Sequence, residues 1–371
     1  MDTIIVPLYL LLFLLGYKLV PCRCEGGTNN KKSVFVVFLL LFVFFGFRGL
    51  PILNDTHHYY NDFLARLLST NFFNEPLFTY DPFERFEYGF IVYLRAIGKY
   101  VTQYPYGLIV ISALIVTTAN IFIASRNKVN LFIFSYIMLS STIFLSQYSA
   151  MRQGLACSIF YVAFWLLQKD KLFYPLVLLI LAMSFHRASL ALFPLVFLTK
   201  LDFSRFKVFL VVVASLFLMI NVQSFGDDSA VFQEQAARET LPIAAFLMLL
   251  FSLYITYNCY TLKHRYNLTI PSEHLFWWST ILLIAIQIVS LNLLIVGRYT
   301  MFFRPLLIIM YLLYYQQVDC KCFAKRQFLI FLFICFLYFC ICIYFKSEWY
   351  HLVPYSFYNF GEILEYVDFG Y

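Results

Sequence analysis

The chain of 371 residues is 62% hydrophobic, 21% aromatic and only 13% charged, and its mean hydropathy is +0.77. Soluble globular domains carry roughly 25% charged residues, so this composition excludes them and predicts an integral membrane protein. The net charge of +7 is spread over many short loops. No basic domain or nucleic-acid-binding motif accompanies it, and the sequence therefore predicts no nucleic-acid partner.

Twelve apolar runs follow one another along the chain and predict twelve transmembrane helices. Most are continuous and approach the ~20 residues that a helix needs to cross the hydrocarbon core, which favours helices over the short alternating strands of a β-barrel. The predicted spans are 4–20, 33–47, 105–124, 130–147, 153–168, 172–185, 188–200, 207–223, 242–260, 275–296, 299–315 and 328–345. The predicted fold is an all-α polytopic bundle that forms a single membrane domain over residues 1–371.

Three of these runs allow a second interpretation. The N-terminal run resembles a signal peptide in length, but Asp2 stands where the basic n-region would be, so we interpret it as the first span. The runs 172–185 and 188–200 are short. We interpret them as two spans or, alternatively, as broken or re-entrant helices that line a water-filled cavity.

The positive-inside rule orients the predicted bundle. Alternate loops hold sixteen of the 27 Lys and Arg residues but only five of the 20 Asp and Glu residues, so these loops are predicted to be cytoplasmic. Both termini then lie outside. The same outer side holds the long loop 48–104, the acidic loop 224–241 and the tail 346–371, which is rich in Tyr and Phe like segments at headgroup level.

The outer loop 48–104 contains two predicted amphipathic helices. From Asp55 to Arg66, polar side chains share one helical face and large apolar side chains share the other. This pattern is typical of a helix that lies in the membrane interface. A second such helix is predicted from Glu87 to Tyr100.

Ionisable side chains at the outer ends of the spans are the main candidates for a functional site. An ionised group at the centre of a membrane helix costs roughly 2.5–3.5 kcal/mol and needs a partner, water or a ligand. Five of these residues are arginines, whose planar guanidinium groups bind two phosphate oxygens at once. We interpret them as a phosphate-binding set, with snorkelling or pairing to nearby acids as the alternative. They are Arg48, Arg152, Arg187, Arg298 and Arg304.

A proton acceptor is also expected on this side. His186 ends the sixth predicted span and is the first candidate for taking a proton from a hydroxyl. The alternative is a histidine that caps the helix C-terminus. Asp55 and Glu87 are the carboxylates nearest the outer span ends, and they are further candidates for the base or for orienting a sugar hydroxyl, with solvation of the loop as the alternative. The sequence leaves open which of the three residues is the base.

No cofactor or metal site is predicted. His57 and His58 project about 100° apart on a helix, so they do not readily share one metal ion. Two C-x-C pairs, at 22–24 and 320–322, are weaker signals for zinc than paired C-x-x-C motifs. Neither a Walker A motif nor G-x-G-x-x-G occurs in the chain, so no motif indicates an ATPase or a dinucleotide enzyme.

Six short motifs are spread along the chain. Together they contain an arginine and an aspartate in the first outer loop, R-Q at the start of one span, H-x-x-S at the start of another and R-Y late in the chain. They read FRGLPILNDTHHYYNDF at 47–63, FEYGFIVYL at 86–94, MRQGLACSIF at 151–160, FHRASLALFPLVF at 185–197, GRYTMFFRP at 297–305 and VPYSFY near the end. In order and spacing this set resembles the EpsG/Wzy-like family of bacterial polysaccharide polymerases, and the resemblance extends over most of the chain.

The resemblance implies a membrane-embedded glycosyltransferase of GT-C-like or Wzy-like architecture in the bacterial inner membrane, with an active site that faces the periplasm or exterior. Its implied donor and acceptor are oligosaccharide repeat units of O-antigen, capsule or exopolysaccharide, linked to undecaprenyl diphosphate. Transfer is expected to be metal-independent and inverting. Further expected partners are the lipid bilayer, a chain-length regulator and a flippase. The residues that match the family's polar positions are Arg48, Asp55, Glu87, Arg152, Gln153, His186 and Arg298.

Two other functions are compatible with the same residues. One is a lipid-linked oligosaccharide flippase or another transporter, and the other is a membrane O-acyltransferase that uses the same histidine. The chain shows no internal repeat of fixed period, so the sequence gives no positive signal for a transporter with two related halves. Loss of a polymerase leaves single repeat units on the carrier or surface, loss of a flippase traps them inside, and loss of an acyltransferase leaves chain length unchanged.

Overall fold

The computed structural model of the protein describes most of the chain between residues 5 and 359. The described positions are 5–19, 31–69, 71–79, 86–198, 207, 210–211, 213, 243–292, 294–318, 322–345, 350–352 and 355–359. The predicted span 207–223 falls almost entirely outside them. The predicted loop 224–241 and the cysteine pair at 22–24 fall wholly outside them.

Regular structure in these ranges is helical, apart from one isolated bridge between Arg48 and Phe357. The α-helices in chain order are α1 (Ile5–Leu19), α2 (Lys31–Gly46), α3 (Thr56–Ser69), α4 (Tyr88–Tyr100), α5 (Tyr106–Arg126), α6 (Leu131–Ser140), α7 (Ile143–Ser149), α8 (Met151–Leu167), α9 (Phe173–Phe185), α10 (Phe193–Leu198), α11 (Ile243–Tyr266), α12 (Glu273–Ser290), α13 (Thr300–Gln316) and α14 (Cys322–Cys340). Two 3₁₀-helices, Arg187–Leu192 and Leu294–Tyr299, precede α10 and α13, and a π-helical turn, Ile341–Phe345, follows α14.

Five helical segments of the described chain are long and apolar enough to cross a membrane. They are Tyr106–Arg126, Ala245–Tyr266, Glu273–Ser290, Val296–Gln316 and Cys322–Tyr344. The bent pair α6 and α7 brings the number to six when it is counted as one span. Shorter apolar helices coincide with four more predicted spans, at Tyr9–Lys18, Met151–Leu167, Phe173–Phe185 and Arg187–Leu198. The all-helical membrane fold is thus confirmed, whereas the count of twelve spans stays a prediction.

The predicted span 130–147 is broken in the structure. Helix α6 ends at Ser140, α7 begins at Ile143, and their axes are bent by 74°. Thr142 at the break has a left-handed backbone, with φ of 60°, and the hydroxyl of Ser141 donates to a carbonyl of the preceding turn at 2.6 Å. Local side-chain bonding of this kind bends helices. The bend ends the apolar run in a short α7 that leads directly into α8.

Both helices predicted in the outer loop are present, as α3 and α4. Part of the polar face of α3, however, is covered by protein. Arg66 is fully buried, its Nε lies 2.8 Å from Asp62 Oδ2, and its guanidinium lies over the ring of Phe72. On the apolar side, Phe63 is also fully buried. The part of the polar face that holds Asp62 and Arg66 is therefore enclosed, although His58 on the same face is exposed. This differs from the water-facing polar side expected from the sequence, because a carboxylate and an aromatic ring satisfy the Arg66 charge inside the protein.

The end of the chain packs against the first outer loop. The Gly49 N–H donates to the Ser356 carbonyl at 2.8 Å, and the Tyr358 N–H donates to the Phe47 carbonyl at 2.9 Å. The ring of Tyr358 stacks on Tyr106 of α5, with centroids 3.7 Å apart. Glycine gives room at this crossing, because a Cβ on Gly49 would lie 2.3 Å from the Ser356 hydroxyl and 3.2 Å from the Ser356 carbonyl oxygen. The described part of the tail is thus an integral part of the folded outer region.

Arg48 joins this outer region from the inside. Only 1% of the residue is exposed. Its Nε donates to Thr56 Oγ1 at 3.1 Å, its Nη2 to the Tyr148 carbonyl at 3.2 Å, and its Nη1 to the Phe45 carbonyl. These bonds connect the end of α2, the start of α3 and the end of α7. The guanidinium is directed at the protein interior, which fits a structural role better than the phosphate binding expected from the sequence.

Replacing Arg48 with Met is expected to destabilise the protein. The change removes the donors for Thr56 and for the carbonyls of Phe45 and Tyr148, and leaving a buried polar group unsatisfied costs roughly 1–3 kcal/mol. Thermal unfolding of the purified chain in detergent, followed by tryptophan fluorescence, measures the effect. Arg126→Met, at an exposed position, is the matched control. Equal melting temperatures for the two variants would contradict the structural role of Arg48.

Candidate functional site

Four residues singled out in the sequence line one cavity of about 470 Å³. They are Asp55, Gln153, Arg298 and Arg304. The volume lies within the ~300–1,000 Å³ of typical small-molecule sites. The cavity is formed where the start of α3, the α7–α8 corner and the start of α13 meet. Its other lining residues are Asn54, Ile143, Ser146, Ser149, Ala150, Gly297, Thr300, Met301 and Tyr350.

Two tight contacts hold α8 at the wall of this cavity. A Cβ on Gly154 would lie 2.2 Å from the carbonyl oxygen of Gln147, so glycine is required where α8 crosses the end of α7. Gln153 Nε2 donates to the Arg298 carbonyl, which connects α8 to the 3₁₀-helix before α13. The R-Q-G sequence at 152–154 therefore provides a guanidinium, an amide and a close helix crossing at consecutive positions.

Among the described side chains, three buried polar atoms at or beside this cavity have no hydrogen-bond partner. They are Nε of Arg152, Nε of Arg304 and Oε1 of Gln153. A buried polar group without a partner costs roughly 1–3 kcal/mol, and a cluster of them indicates a place for a ligand or water. Arg298 adds an exposed guanidinium. The two arginines that line the cavity, with Arg152 beside it, form a donor set that suits a phosphate or a diphosphate.

A half-buried ionic cluster lies beside the cavity. Glu87 Oε2 accepts a hydrogen bond from Arg152 Nη1 at 2.5 Å. Glu87 Oε1 lies 3.1 Å from His186 Nδ1 and 3.3 Å from the main-chain nitrogen of Arg187. The Glu87 side chain is only 12% exposed. One carboxylate thus connects the start of α4, the start of α8 and the end of α9.

Gly89 permits the close contact between α4 and α9. A Cβ at this position would lie 2.2 Å from Ser184 Oγ and 2.8 Å from the Ser184 carbonyl carbon. Glu87 directly precedes α4, and His186 directly follows α9. The close crossing of these two helix ends therefore sets the distance between the carboxylate and the imidazole.

The two carboxylates of the site have different electrostatic surroundings. Burial by itself would raise the pKa of Glu87, but the hydrogen bond with His186 and the charge of Arg152 lower this pKa to about 2. Burial raises the pKa of Asp55, and nearby positive charges, chiefly that of Arg298, offset the rise only in part. Glu87 is therefore ionised at neutral pH and a weak proton acceptor, whereas Asp55 is the stronger base of the two.

The contact with Glu87 restricts the orientation of the His186 ring, as a proton-transfer role would require. When Nδ1 of His186 carries the hydrogen and donates a hydrogen bond to Glu87, the lone pair of Nε2 is left to accept a proton. A carboxylate fixes the tautomer of a histidine base in the same way in serine hydrolase triads. This geometry favours a positioning role for Glu87 and leaves His186 and Asp55 as the candidates for the base.

Comparison with known protein families addresses the chain as a whole. A family model described as the EpsG family matches residues 31–357. The chain belongs to the EpsG family. No curated protein and no solved structure matches it. Membership confirms the resemblance noted in the sequence and implies a membrane-bound, glycosyltransferase-like role of the polysaccharide-polymerase type.

Two of the arginines predicted from this EpsG-family sequence lie apart from the cavity. Arg48 is enclosed in the outer region, as described above. The side chain of Arg187 is exposed, and only its main-chain N–H reaches Glu87. The structure thus brings three of the five predicted arginines to the site, Arg152, Arg298 and Arg304.

Two further residues of the candidate site, Tyr59 and Tyr350, are not predicted from the sequence. Tyr59 on α3 is buried and lies close to Arg152. Tyr350 lines the cavity, and its hydroxyl lies 3.1 Å from Ser146 Oγ. The motif at 47–63 contains Tyr59 but does not indicate its place beside Arg152, and no motif contains Tyr350. Tyr350 reaches the cavity only because the end of the chain returns to the first outer loop.

The positive charge that the described residues offer at the cavity comes from arginines. Within the described ranges, no group of three or more His, Cys, Asp or Glu side chains is spaced to hold a metal ion. The rings of His57 and His58 have centroids 3.8 Å apart and line a second cavity.

Gly89→Ala is expected to push α4 away from α9 and so to separate Glu87 from His186. A misplacement of about 1 Å can cost roughly 10²-fold in rate, so we expect a loss of that order. The rate of glycan elongation, measured at equal membrane abundance, tests this. Gly107→Ala is the control, because its Cβ would meet only the Thr102 side chain. A normal rate for Gly89→Ala would show that this crossing does not position the site.

Proposed function

We propose that this EpsG-family protein polymerises oligosaccharide repeat units linked to undecaprenyl diphosphate at the outer face of the bacterial inner membrane. The observation that carries the proposal is the cavity in which Arg298 and Arg304 meet Asp55, beside the pair of His186 and Glu87. Arginine forks suit a diphosphate, and a sugar hydroxyl needs a proton acceptor when it attacks. Membership of the EpsG family supports the same class of reaction.

The proposed reaction is a single displacement. A hydroxyl oxygen of the acceptor repeat unit attacks C1 of the donor sugar, the bond between C1 and the diphosphate oxygen breaks, and the configuration at C1 inverts. The hydroxyl proton passes to His186 Nε2 or to Asp55. Undecaprenyl diphosphate leaves with the bonding electrons, and Arg152, Arg298 and Arg304 stabilise the charge that develops on it without a metal ion.

The proposed setting is a bundle of twelve spans with GT-C-like or Wzy-like architecture. Non-helical backbone at membrane depth is tolerated where it lines a cavity, and the break between α6 and α7 lies at such a place. A lipid-linked substrate needs lateral access from the bilayer, which broken helices can provide. A chain-length regulator and a flippase are proposed as further partners in the synthesis of O-antigen, capsule or exopolysaccharide.

Arg304→Ala is expected to weaken both donor binding and turnover, because it removes a charge-stabilising donor worth roughly 10²–10³-fold. His186→Ala is expected to lower turnover by about 10²–10⁴-fold with little change in donor KM, as for loss of a general base. Chain-length profiles in a complemented deletion strain and turnover on lipid-linked repeat units measure both effects.

The exposed Arg126 supplies the control for these variants, since Arg126→Ala removes an arginine outside the cavity. All variants are compared at equal membrane abundance. Unchanged chain length in the deletion strain would refute polymerisation. Normal turnover of His186→Ala together with an inactive Asp55→Ala would make Asp55 the base.

The proposed topology predicts that Ser224 lies outside and Lys263 lies in the cytoplasm, because basic residues concentrate on the side of Lys263. A phosphatase reporter that is active only outside the cytoplasm, fused at each position in turn, tests this. We expect activity at 224 and none at 263. The reverse pattern would overturn the orientation.

A further inference from the structure

A second cavity of about 370 Å³ adjoins the first, and we propose that it binds the saccharide part of the lipid-linked substrate. Its polar lining consists of Asn54, His57, His58, Asn61 and His351. The inference rests on the proposed function and deepens it, since it assigns a separate place to the glycan that the diphosphate carries.

The two cavities are neighbours in the structure. Asn54 lines both of them. Tyr350 lines the first and His351 lines the second. Two short segments, one at the start of α3 and one from the end of the chain, therefore form the boundary between the cavities. A substrate with a diphosphate in the first cavity would extend its sugars across this boundary.

The backbone at this boundary adopts an unusual conformation. Leu53 and His351 both have left-handed backbones, with φ of 64° and 48°. The Leu53 N–H donates to the Tyr350 carbonyl at 2.9 Å, which joins the two segments. Residues other than glycine seldom adopt such angles, and those that do are concentrated at binding and active sites. The strain lies at the point where the two cavities meet.

The chemistry of the second cavity suits sugar hydroxyl groups. His57, His58 and Asn61 lie in the first two turns of α3, Asn54 lies just before the helix, and all four residues line this cavity. Amides and neutral imidazoles both donate and accept hydrogen bonds, as hydroxyls do. Burial and the neighbouring His58 lower the pKa of His57, which favours its neutral form.

The described wall of this cavity differs in charge from that of the first. Among the described residues that line it, none is Lys, Arg, Asp or Glu. Leu50 and Pro51 complete the wall and offer an apolar surface to the C–H face of a sugar ring. A phosphate would find no guanidinium here, whereas a neutral glycan would find several hydrogen-bonding partners. The two cavities therefore divide a lipid-linked oligosaccharide into its anionic and neutral parts.

The saccharide belongs either to the donor or to the acceptor, and the experiment distinguishes them. In this assay the donor is the lipid-linked repeat unit, and a soluble acceptor, the same oligosaccharide released from its lipid diphosphate by mild acid, replaces the lipid-linked one. The concentration of each substrate is varied in turn, with the full-length purified protein as the enzyme. Asn61→Ala and His351→Gly are compared with the wild type. His351→Gly removes the imidazole without backbone strain, because glycine readily adopts positive φ.

We expect KM to rise roughly 3- to 10-fold for one of the two substrates, as for loss of one hydrogen bond, while kcat changes little. A rise for the soluble acceptor assigns the cavity to the acceptor glycan, and a rise for the donor alone assigns it to the donor glycan. His264→Ala, which removes an exposed histidine outside both cavities, is the matched control and should leave both KM values unchanged.

Unchanged KM values in both variants, with elongation by the wild type, would overturn the inference while the proposed function stands. A fall in kcat without a change in KM would also overturn it, since the cavity would then support the fold or the chemistry. Absence of elongation by the wild type would instead refute the proposed function. Should Asn61→Ala fold poorly, His351→Gly alone decides between these outcomes.

Discussion

The carboxylate of Glu87 joins parts of the chain that are far apart in sequence. A buried carboxylate is costly unless charged and hydrogen-bonding partners surround it, and here Arg152, His186 and a main-chain N–H supply them. These partners come from the start of α8 and the end of α9. The negative charge of Glu87 is therefore paired only when these two helix ends lie next to the start of α4. Gly89 makes that meeting possible. The electrostatics of the site and the packing of the helices therefore depend on each other.

Interrupted helices supply the remaining geometry. The break between α6 and α7 leads into α8, and the 3₁₀-helix Leu294–Tyr299 presents Arg298 before α13 begins. A continuous helix would direct side chains along a uniform surface, whereas a break lets several chain ends converge on one space. Among the described residues, two arginines line the resulting cavity, and Arg304 has a buried Nε without a hydrogen-bond partner, whereas amides and imidazoles line the neighbouring cavity. Such a division fits a molecule that is anionic at one end and neutral along the rest.

Much of the fold and part of the site follow from sequence alone. The apolar runs predict the helices, because in a bilayer every backbone polar group must be satisfied within its own segment. Charged residues are so rare in these runs that those at the outer span ends are candidates for a functional site. Asp55, Gln153, Arg298 and Arg304 indeed line one cavity. Arg48 also lies at an outer span end, yet its guanidinium is bonded inside the protein. The position of an arginine in the sequence does not reveal which way its guanidinium points.

The class of protein, its EpsG family, the positions of most helices and a short set of candidate residues follow from the order of the amino acids. Three other features emerge only from the folded chain: the contact between Glu87 and His186, the burial of Arg66, and the place of Tyr350 at the cavity. The physical reason is that hydrophobic periodicity is a local property of the chain. Pairing, burial and the altered pKa of Glu87 depend on distances between distant helix ends, which only their packing fixes.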